Sequence, residues 1–189
     1  MRITKVELYD KYYSTYPQPA NLYKEDKEMP NHCYNRVTIY GSGNDTDETR
    51  EQIAKLKSIF EDENVFGQII PEPDWHNTPL LTSDNMYGTK YGNDGELPQY
   101  VEDPWKRLVF KSTGITDQRW YDWRLQNWDT KWDAYDVSID DDDPDQLEVS
   151  FNTAWSPPEA ICSAIKEQYP DLAVSWFYDE PGCEIAGYL

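Results

Sequence analysis

The most constraining feature of the sequence is the clean alternation of apolar and polar side chains in residues 146–155, QLEVSFNTAW. Successive side chains of a β-strand point to opposite faces, so Leu147, Val149 and Phe151 are predicted to face a core. The side chains between them are predicted to face outward: Glu148, Ser150 and Asn152. Such a strand predicts a sheet that is covered on one side.

The segments around this strand predict its partners. CYNRVTIYGSG, DAYDVSID and AVSWFYDE also alternate, which indicates strands, and a short last strand follows the turn at Pro181 and Gly182. NDTDETREQIAKLKSIF and SPPEAICSAIKEQYPDL indicate helices. The resulting order is the split βαβ arrangement. The predicted fold class is therefore α+β, ferredoxin-like (βαββαβ), with an antiparallel sheet, two helices on one face and a long insertion between helix 1 and strand 2.

Both helices carry end signals. Asp45 or Thr46 is predicted to cap the first helix. Ser156 is predicted to cap the second, with Pro157 at its first helical position. Each helix also has an apolar stripe that is predicted to cover the sheet: Ile53, Leu56, Ile59 and Phe60 in the first, and Ile161, Ala164 and Ile165 in the second.

The chain divides into an N-terminal segment and one domain. Residues 1–28 predict a strand or arm followed by a linker, and residues 29–189 predict the ferredoxin-like domain, with the insertion at about 61–124. A connection this long needs packing of its own in a compact domain. Four tryptophans within it are the expected source of that packing, and segments such as DPWKRLVFKSTGI and DQRWYDWRLQNW suggest helical turns: Trp75, Trp105, Trp120 and Trp123.

The charge balance restricts the class of partner. The chain has 36 acidic and 17 basic side chains, for a net charge of -19. Nucleic acid and anionic membranes bind through clustered Lys and Arg, so neither is an expected direct partner, whereas a basic protein is a good electrostatic match.

Aromatic residues make up 15% of the chain, which argues against disorder. Three scattered cysteines and the lack of a long apolar segment predict a cytoplasmic protein.

Four segments of the chain resemble a known family. MPNHCYNRVTIYG, NWDTKWDAYDV, FNTAWSPP and YDEPGCEIAGY are similar to the YubB-type, ferredoxin-like family of phage and plasmid proteins, over Met29–Ile59 and Asn127–Leu189. The resemblance implies a ferredoxin-like fold and carriage on a phage or mobile element, and it implies no catalytic residues. This chain has His32 where the family usually has Trp, and Asp129 where it usually has Gly. Glycine at that place suggests a left-handed turn, which Asp tolerates better than most residues.

NWDTKWDAYDV supports two interpretations. As a site, its rings stack a base or sugar, Lys131 meets an anionic group, and Asp129 and Asp133 act as acids or metal ligands. As a packed junction, Trp128 and Trp132 share a helical face and plug the edge of the sheet, and Lys131 pairs with Asp129 or Asp133. The second interpretation is favoured. It predicts that Trp132→Ala costs on the order of 3–5 kcal/mol.

Other motifs give weaker signals. The acidic run at Asp140–Asp145 lacks the ligand spacing of a calcium loop, and no CxxC pair or other metal-binding pattern is present. Nucleotide-binding and hydrolase motifs are also missing from the sequence. No catalytic residue, cofactor or metal is therefore predicted. The polar face of the sheet is expected to be either solvated or covered by the insertion, and its predicted members are Thr38, Asp136, Ser138, Ser150, Asn152 and Ser175.

These observations favour a non-enzymatic acidic interaction protein of a phage or mobile element. It would bind a basic site on a host protein in the host cytoplasm, as a nucleic-acid mimic or counter-defence factor. The alternative is a small-ligand or nucleotide-binding module, or an enzyme, with an aromatic and acidic pocket between the insertion and the open sheet face. The residues of that pocket would be Trp128, Lys131, Trp132, Asp133, Trp155 and Glu180. RNA binding is not expected, because Glu148, Ser150 and Asn152 replace the basic, aromatic surface that it requires.

Overall fold

The computed structural model describes residues 31–43, 46–81, 93–103, 107–140 and 143–189. Within them, five strands form one sheet: β1 (His32–Gly41), β4 (Tyr135–Asp140), β5 (Gln146–Ala154), β6 (Leu172–Glu180) and β7 (Ile185–Tyr188). A two-stranded sheet contains β2 (Tyr100–Val101) and β3 (Val109–Phe110). The helices of this described part are α1 (Asp47–Phe60), α2 (Val65–Ile69), α3 (Arg119–Asn127) and α4 (Glu159–Gln168). The predicted N-terminal arm, residues 1–28, lies outside the described residues.

The strand order of the main sheet is β4-β5-β1-β6-β7, and every neighbouring pair is antiparallel. Without β7, this is the order that a βαββαβ chain produces when it folds in the ferredoxin-like way. The predicted fold class is therefore confirmed. The last strand extends the sheet at the β6 edge, as the turn at Pro181 and Gly182 predicted.

The core lies between the sheet and the helices. The predicted inward residues Val37, Ile39, Leu147, Val149 and Phe151 are buried. The apolar stripes of α1 and α4 pack onto them in one continuous cluster, which also contains the fully buried indole of Trp176. Alternation in the strands and a helical period of 3.6 in the helices predicted these members of the core. The same cluster also contains Val65, Phe66, Ile69 and Trp128, which those patterns did not predict.

The two helices begin differently. In α1, Thr46 is the N-cap, and its side chain and that of Thr49 form a reciprocal capping box. Asp45, the alternative cap, lies outside the described residues. In α4, the prediction that Ser156 caps the helix is wrong, because the helix begins at Glu159 and its capping carboxylate comes from Asp129, far away in the sequence.

The insertion contains its own small core. Leu80 and Phe110 are buried beside Tyr100, and the buried side chains of Asp117 and Arg119 form an ion pair of 2.9 Å. The guanidinium of Arg119 also donates to backbone carbonyl groups of three residues: Trp75, Thr78 and Pro79. This polar network therefore connects the segment around Trp75 with the start of α3.

The expected tryptophans of the insertion are only half-buried where they are described: Trp75, Trp120 and Trp123. Trp105 lies outside the described residues. The predicted helical turn in DQRWYDWRLQNW is confirmed as α3, whereas DPWKRLVFKSTGI does not form the helical turn suggested for it in its described part, where it contains β3 and a turn. No helix in the described part of the chain has the length and apolar character that are needed to cross a membrane.

Candidate functional site

The segments that carry the family resemblance meet at one end of the main sheet, where β1 begins and β5 and β6 end. The Nδ1 atom of His32 lies 2.5 Å from the hydroxyl of Tyr135. The backbone N–H of Trp155 donates to the carbonyl of Asn31 at 2.9 Å, and the Thr130 hydroxyl donates to the carbonyl of Ala154 at 3.0 Å. We call this the motif end of the sheet. Its contacts join segments that are far apart in the chain.

Trp128 is part of the core. Its side chain is fully buried, its indole N–H donates to the carbonyl of Ile70 at 2.9 Å, and its ring packs edge-on against Phe66. The guanidinium of Arg124 lies over the same ring, 4.6 Å from its centroid. These contacts hold the start of the insertion against the domain, and they leave no ring face for a ligand.

Trp132 does not share a helical face with Trp128, because α3 ends at Asn127. It is half-buried and packs edge-on against Tyr135. Lys131 places its ammonium group 4.7 Å from the centroid of the Trp132 ring and 5.8 Å from that of Tyr121. The lysine therefore lies among rings, which is a common way to accommodate a cation.

The carboxylate of Asp133 fixes the backbone. Its Oδ1 atom accepts hydrogen bonds from the N–H groups of Phe66 at 2.9 Å and Ala134 at 2.7 Å. Burial raises the pKa of this carboxyl, and the two backbone hydrogen bonds oppose that change. Asp133 thus anchors the start of α2, and this arrangement resembles a structural carboxylate more than a catalytic one.

Glu180 is fully buried at the motif end. Its two oxygen atoms accept from the backbone N–H groups of Gly182 at 3.2 Å and Cys183 at 2.5 Å. A side chain on Gly182 would collide with Asn31 and Glu180, so the turn requires a residue without one. The hydrogen bond between Glu180 and the thiol of Cys183 raises the pKa of that thiol to about 11.

Trp155 is the predicted site residue with the most exposed ring. It is 42% exposed and has a φ of 74°, which is unusual for a bulky side chain. Its backbone N–H is hydrogen-bonded to the carbonyl of Asn31. The side chain of Asn31 in turn lies beside Gly182, in the turn that Glu180 holds. Trp155 and Glu180 therefore flank the same residue, whereas Trp128 and Asp133 lie together at the start of the insertion.

Surface depressions in the described part of the chain include two with volumes of about 540 and 150 Å³. The larger lies in the insertion beside His76 and Tyr100, and the smaller lies at the β4–β5 hairpin beside Asp140 and Asp143. None of the six predicted site residues lines either depression. No group of three metal-ligating side chains is found among the described residues.

The more conspicuous surface is the face of the sheet opposite the helices, which we call the open face. It carries exposed rings on β1 and β7, namely Tyr34 (42% exposed), Tyr40 (44%) and Tyr188 (69%). Its other members include Arg36, Thr38, Asp136, Ser138, Asp140, Glu148, Ser150, Asn152, Ser175, Phe177 and Asp179. Of these residues, the sequence predicted Thr38, Asp136, Ser138, Ser150, Asn152 and Ser175, and the outward direction of Glu148. It missed Tyr34, Phe177 and Tyr188, although their alternation with buried residues was visible.

A second surface lies at the opposite end of the sheet from the motif end. The Arg50 guanidinium donates to Asp145 at 2.5 Å and lies 3.4 Å from Asp47, so the start of α1 adjoins the β4–β5 hairpin. This brings two groups of acidic residues together. We call them the acidic rim, which consists of Asp47, Glu48, Glu51, Asp140, Asp143, Asp145 and Glu148.

The strand order and the helix layer define a ferredoxin-like α+β domain with an additional edge strand. Residues 127–189 match a family model described as the ferredoxin-like domain in Api92-like protein. The match covers β4 to β7 with α4, and the structure adds β1 and α1 to the same sheet and core.

One solved structure is similar over most of its length. It is the crystal structure of protein api92 from Yersinia pseudotuberculosis, at 10% sequence identity and a TM-score of 0.42, covering 85% of this chain and 93% of that chain. The fold assignment rests on the strand order and the family match, and not on this similarity. No curated protein matches the chain.

Proposed function

We propose that the protein is a non-enzymatic acidic binding protein that engages a basic site on a partner protein. The net charge of -19 carries this proposal, together with the junction of α1 and the hairpin that concentrates carboxylates in the acidic rim. In its narrower form, the proposal places the protein in the YubB-type family, on a phage or mobile element, with a host protein as partner. Mimicry of nucleic acid or counter-defence would then be its role.

The position of the acidic rim supports binding across a broad surface. Asp140 and Glu148 belong both to the rim and to the open face, and they lie in direct register on neighbouring strands. Negative charge therefore continues from the helix layer around the hairpin to the sheet face. At moderate salt, opposite charges within roughly 10 Å are not fully screened, and complementary charge accelerates encounter between proteins. A basic partner is thus matched to this end of the molecule.

The contacts of the predicted site give less support to a small-ligand module or an enzyme. Oxygen atoms of Asp133 and Glu180 are engaged by backbone N–H groups, and the Trp128 ring is buried. Such carboxylates stabilise turns and element ends. The open face and the acidic rim, in contrast, consist of solvent-accessible side chains.

The proposal is tested by affinity capture with charge-matched variants. Native protein is immobilised beside a rim variant (Glu48→Lys, Glu51→Lys, Asp140→Lys). The control (Glu61→Lys, Glu63→Lys, Glu102→Lys) has the same net charge but leaves the rim intact. Each is exposed to a bacterial lysate at low salt, and retained proteins are eluted with increasing salt and identified.

We expect native protein and the control to retain the same basic protein and to release it as salt rises, and the rim variant to lose it. Retention of proteins that are not basic, or elution that does not respond to salt, would contradict the proposal. So would equal loss in the control and the rim variant, because it would show that net charge alone matters.

A further inference from the structure

The open face has the chemistry to select the kind of basic segment that binds. Resting on the proposed function, we propose that this face is the docking surface and that its occupant is an arginine-rich segment of the partner protein. Three observations carry this inference: the exposed rings, their position beside carboxylates, and a guanidinium of the protein itself that already lies against this surface.

Rings on this face are available to solvent. Tyr34, Tyr40 and Tyr188 are among the exposed large hydrophobic side chains of the described residues. They project from β1 and β7 on the side of the sheet that the helices do not cover. A cation gains about 0.5–2 kcal/mol by lying over such a ring, and the gain grows as water is excluded.

Tyr34 on β1 lies directly opposite Asp179 on β6. Side chains at directly opposed positions on one face are roughly 5 Å apart at their Cβ atoms. A planar guanidinium between them can stack on the ring and donate two hydrogen bonds to the carboxylate. An ammonium group lacks this planar fork, so the pair favours Arg over Lys.

Arg36 shows the same interaction within the protein. Its guanidinium carbon lies 5.8 Å from the centroid of the Phe177 ring, and Phe177 packs against Tyr188 with centroids 5.4 Å apart. Beyond Arg36, the charged members of the face are carboxylates: Asp136, Asp140, Glu148 and Asp179. The carboxylates of the face therefore favour positive charge around a centre that the protein's own guanidinium already occupies.

The same combination disfavours RNA. Single-stranded RNA also stacks its bases on rings of an open sheet, but its phosphates require basic neighbours. Here Asp179 is beside Tyr34, and Asp140 and Glu148 occupy the hairpin side. An arginine-rich peptide satisfies both the rings and the carboxylates, whereas a polyanion satisfies the rings alone.

The test compares an oligoarginine peptide, an oligolysine peptide of equal length and an oligouridylate as probes, with binding measured by calorimetry at low salt. The ring variant is Tyr34→Leu with Tyr188→Leu, and its matched control is Tyr34→Phe with Tyr188→Phe. A second pair compares Asp179→Asn, on the face, with Glu63→Gln, away from it. Thermal unfolding establishes that each variant is folded.

We expect native protein to bind the arginine peptide more tightly than the lysine peptide. The leucine variant should bind the arginine peptide about three- to tenfold more weakly for each ring lost, and the phenylalanine control should remain close to native. Asp179→Asn should also weaken binding, and Glu63→Gln should not.

Four results would overturn the inference. The peptides bind equally well, the ring variants leave affinity unchanged, oligouridylate binds through the same rings, or neither peptide binds. If the acidic-rim variant loses the arginine peptide while the ring variants retain it, the proposed function stands and only the assignment of the open face fails.

Discussion

The carboxylate of Asp129 accepts a hydrogen bond from the backbone N–H of Ala160 at 2.9 Å. The Ser156 hydroxyl donates to the backbone carbonyl of Asp129. The side chain and the backbone of Asp129 are therefore both hydrogen-bonded to residues at or before the start of α4. The N–H groups of the first helical turn lack partners within the helix. Asp129 thus supplies from a distance the acceptor that an N-cap residue normally provides.

Substitutions at Asp129 separate this capping contact from the backbone conformation. The residue has a φ of 63°, which glycine adopts freely and alanine does not. We expect Asp129→Asn to be nearly neutral, Asp129→Gly to cost about 1 kcal/mol from the lost cap, and Asp129→Ala to cost about 2–3 kcal/mol from both effects. Urea unfolding measures these values. Equal losses for the glycine and alanine variants would show that the backbone conformation contributes nothing.

The two tryptophans of NWDTKWDAYDV should differ in their contribution to stability. Trp128 is fully buried and Trp132 is half-buried, so we expect Trp128→Ala to cost about 3–5 kcal/mol and Trp132→Ala roughly 1 kcal/mol. Trp128→Phe keeps a ring and loses the hydrogen bond to Ile70, and should fall between them. The loss expected for Trp132→Ala is therefore smaller than the value of about 3–5 kcal/mol that the sequence predicted for it. A larger loss for Trp132→Ala in chemical denaturation would contradict the described packing.

The burial of Asp133 should make the stability difference between native protein and Asp133→Asn depend on pH. Burial raises the pKa of this carboxyl in the folded protein above its ordinary value of 3.8, so folding favours the protonated form. That favourable contribution is full below pH 3.8 and is lost as pH rises through the folded pKa. Asp133→Asn cannot ionise and can still accept from Phe66 and Ala134. We expect this variant to gain stability relative to native protein as pH rises from 3 to 7. The opposite slope in paired denaturation curves would mean that the ionised carboxylate is favoured.

The hydrogen bond that Glu180 accepts should control the reactivity of the Cys183 thiol. The hydrogen bond to Glu180 is the main reason that the pKa of the Cys183 thiol is raised to about 11 from its ordinary value of 9.0. We expect Glu180→Gln to lower this pKa and to accelerate alkylation of Cys183 at pH 8 at least about tenfold, because the thiolate is the reactive form. The variant should also lose about 1–3 kcal/mol of stability, since glutamine offers one acceptor to two backbone N–H groups.

A Cys183→Ser variant is the control for that measurement. Cys33 and Cys162 are buried, so little alkylation should remain in the folded control. An unchanged pH profile of Cys183 in Glu180→Gln would show that the carboxylate does not govern the thiol.

The sequence predicted the sheet and its core because both are encoded locally. The alternation in QLEVSFNTAW fixed the inward set Leu147, Val149 and Phe151, and the outward direction of Glu148, since a one-residue shift would move every apolar side chain into water. The order of strands and helices then left few ways to connect them. The left-handed turn at Asp129 was also predicted, through the glycine expected there.

The candidate site was predicted less well, because local composition does not reveal which atoms a side chain meets. Trp132 and Trp128 have the same spacing whether or not α3 continues, and the helix ends between them. Asp133 and Glu180 resembled available carboxylates until their backbone partners were known.

The sequence by itself thus determined the fold class, the apolar faces and the strong negative charge, all of which follow from residue type and short-range periodicity. Tertiary structure alone decided which carboxylates hold the backbone, which tryptophan is in the core, and that aromatic rings stay uncovered on the open face. These outcomes depend on contacts between residues that are distant in the chain, such as Asp129 with Ala160 and Tyr34 with Asp179. A local sequence pattern does not specify such pairs, because they form only when the sheet brings separate segments together.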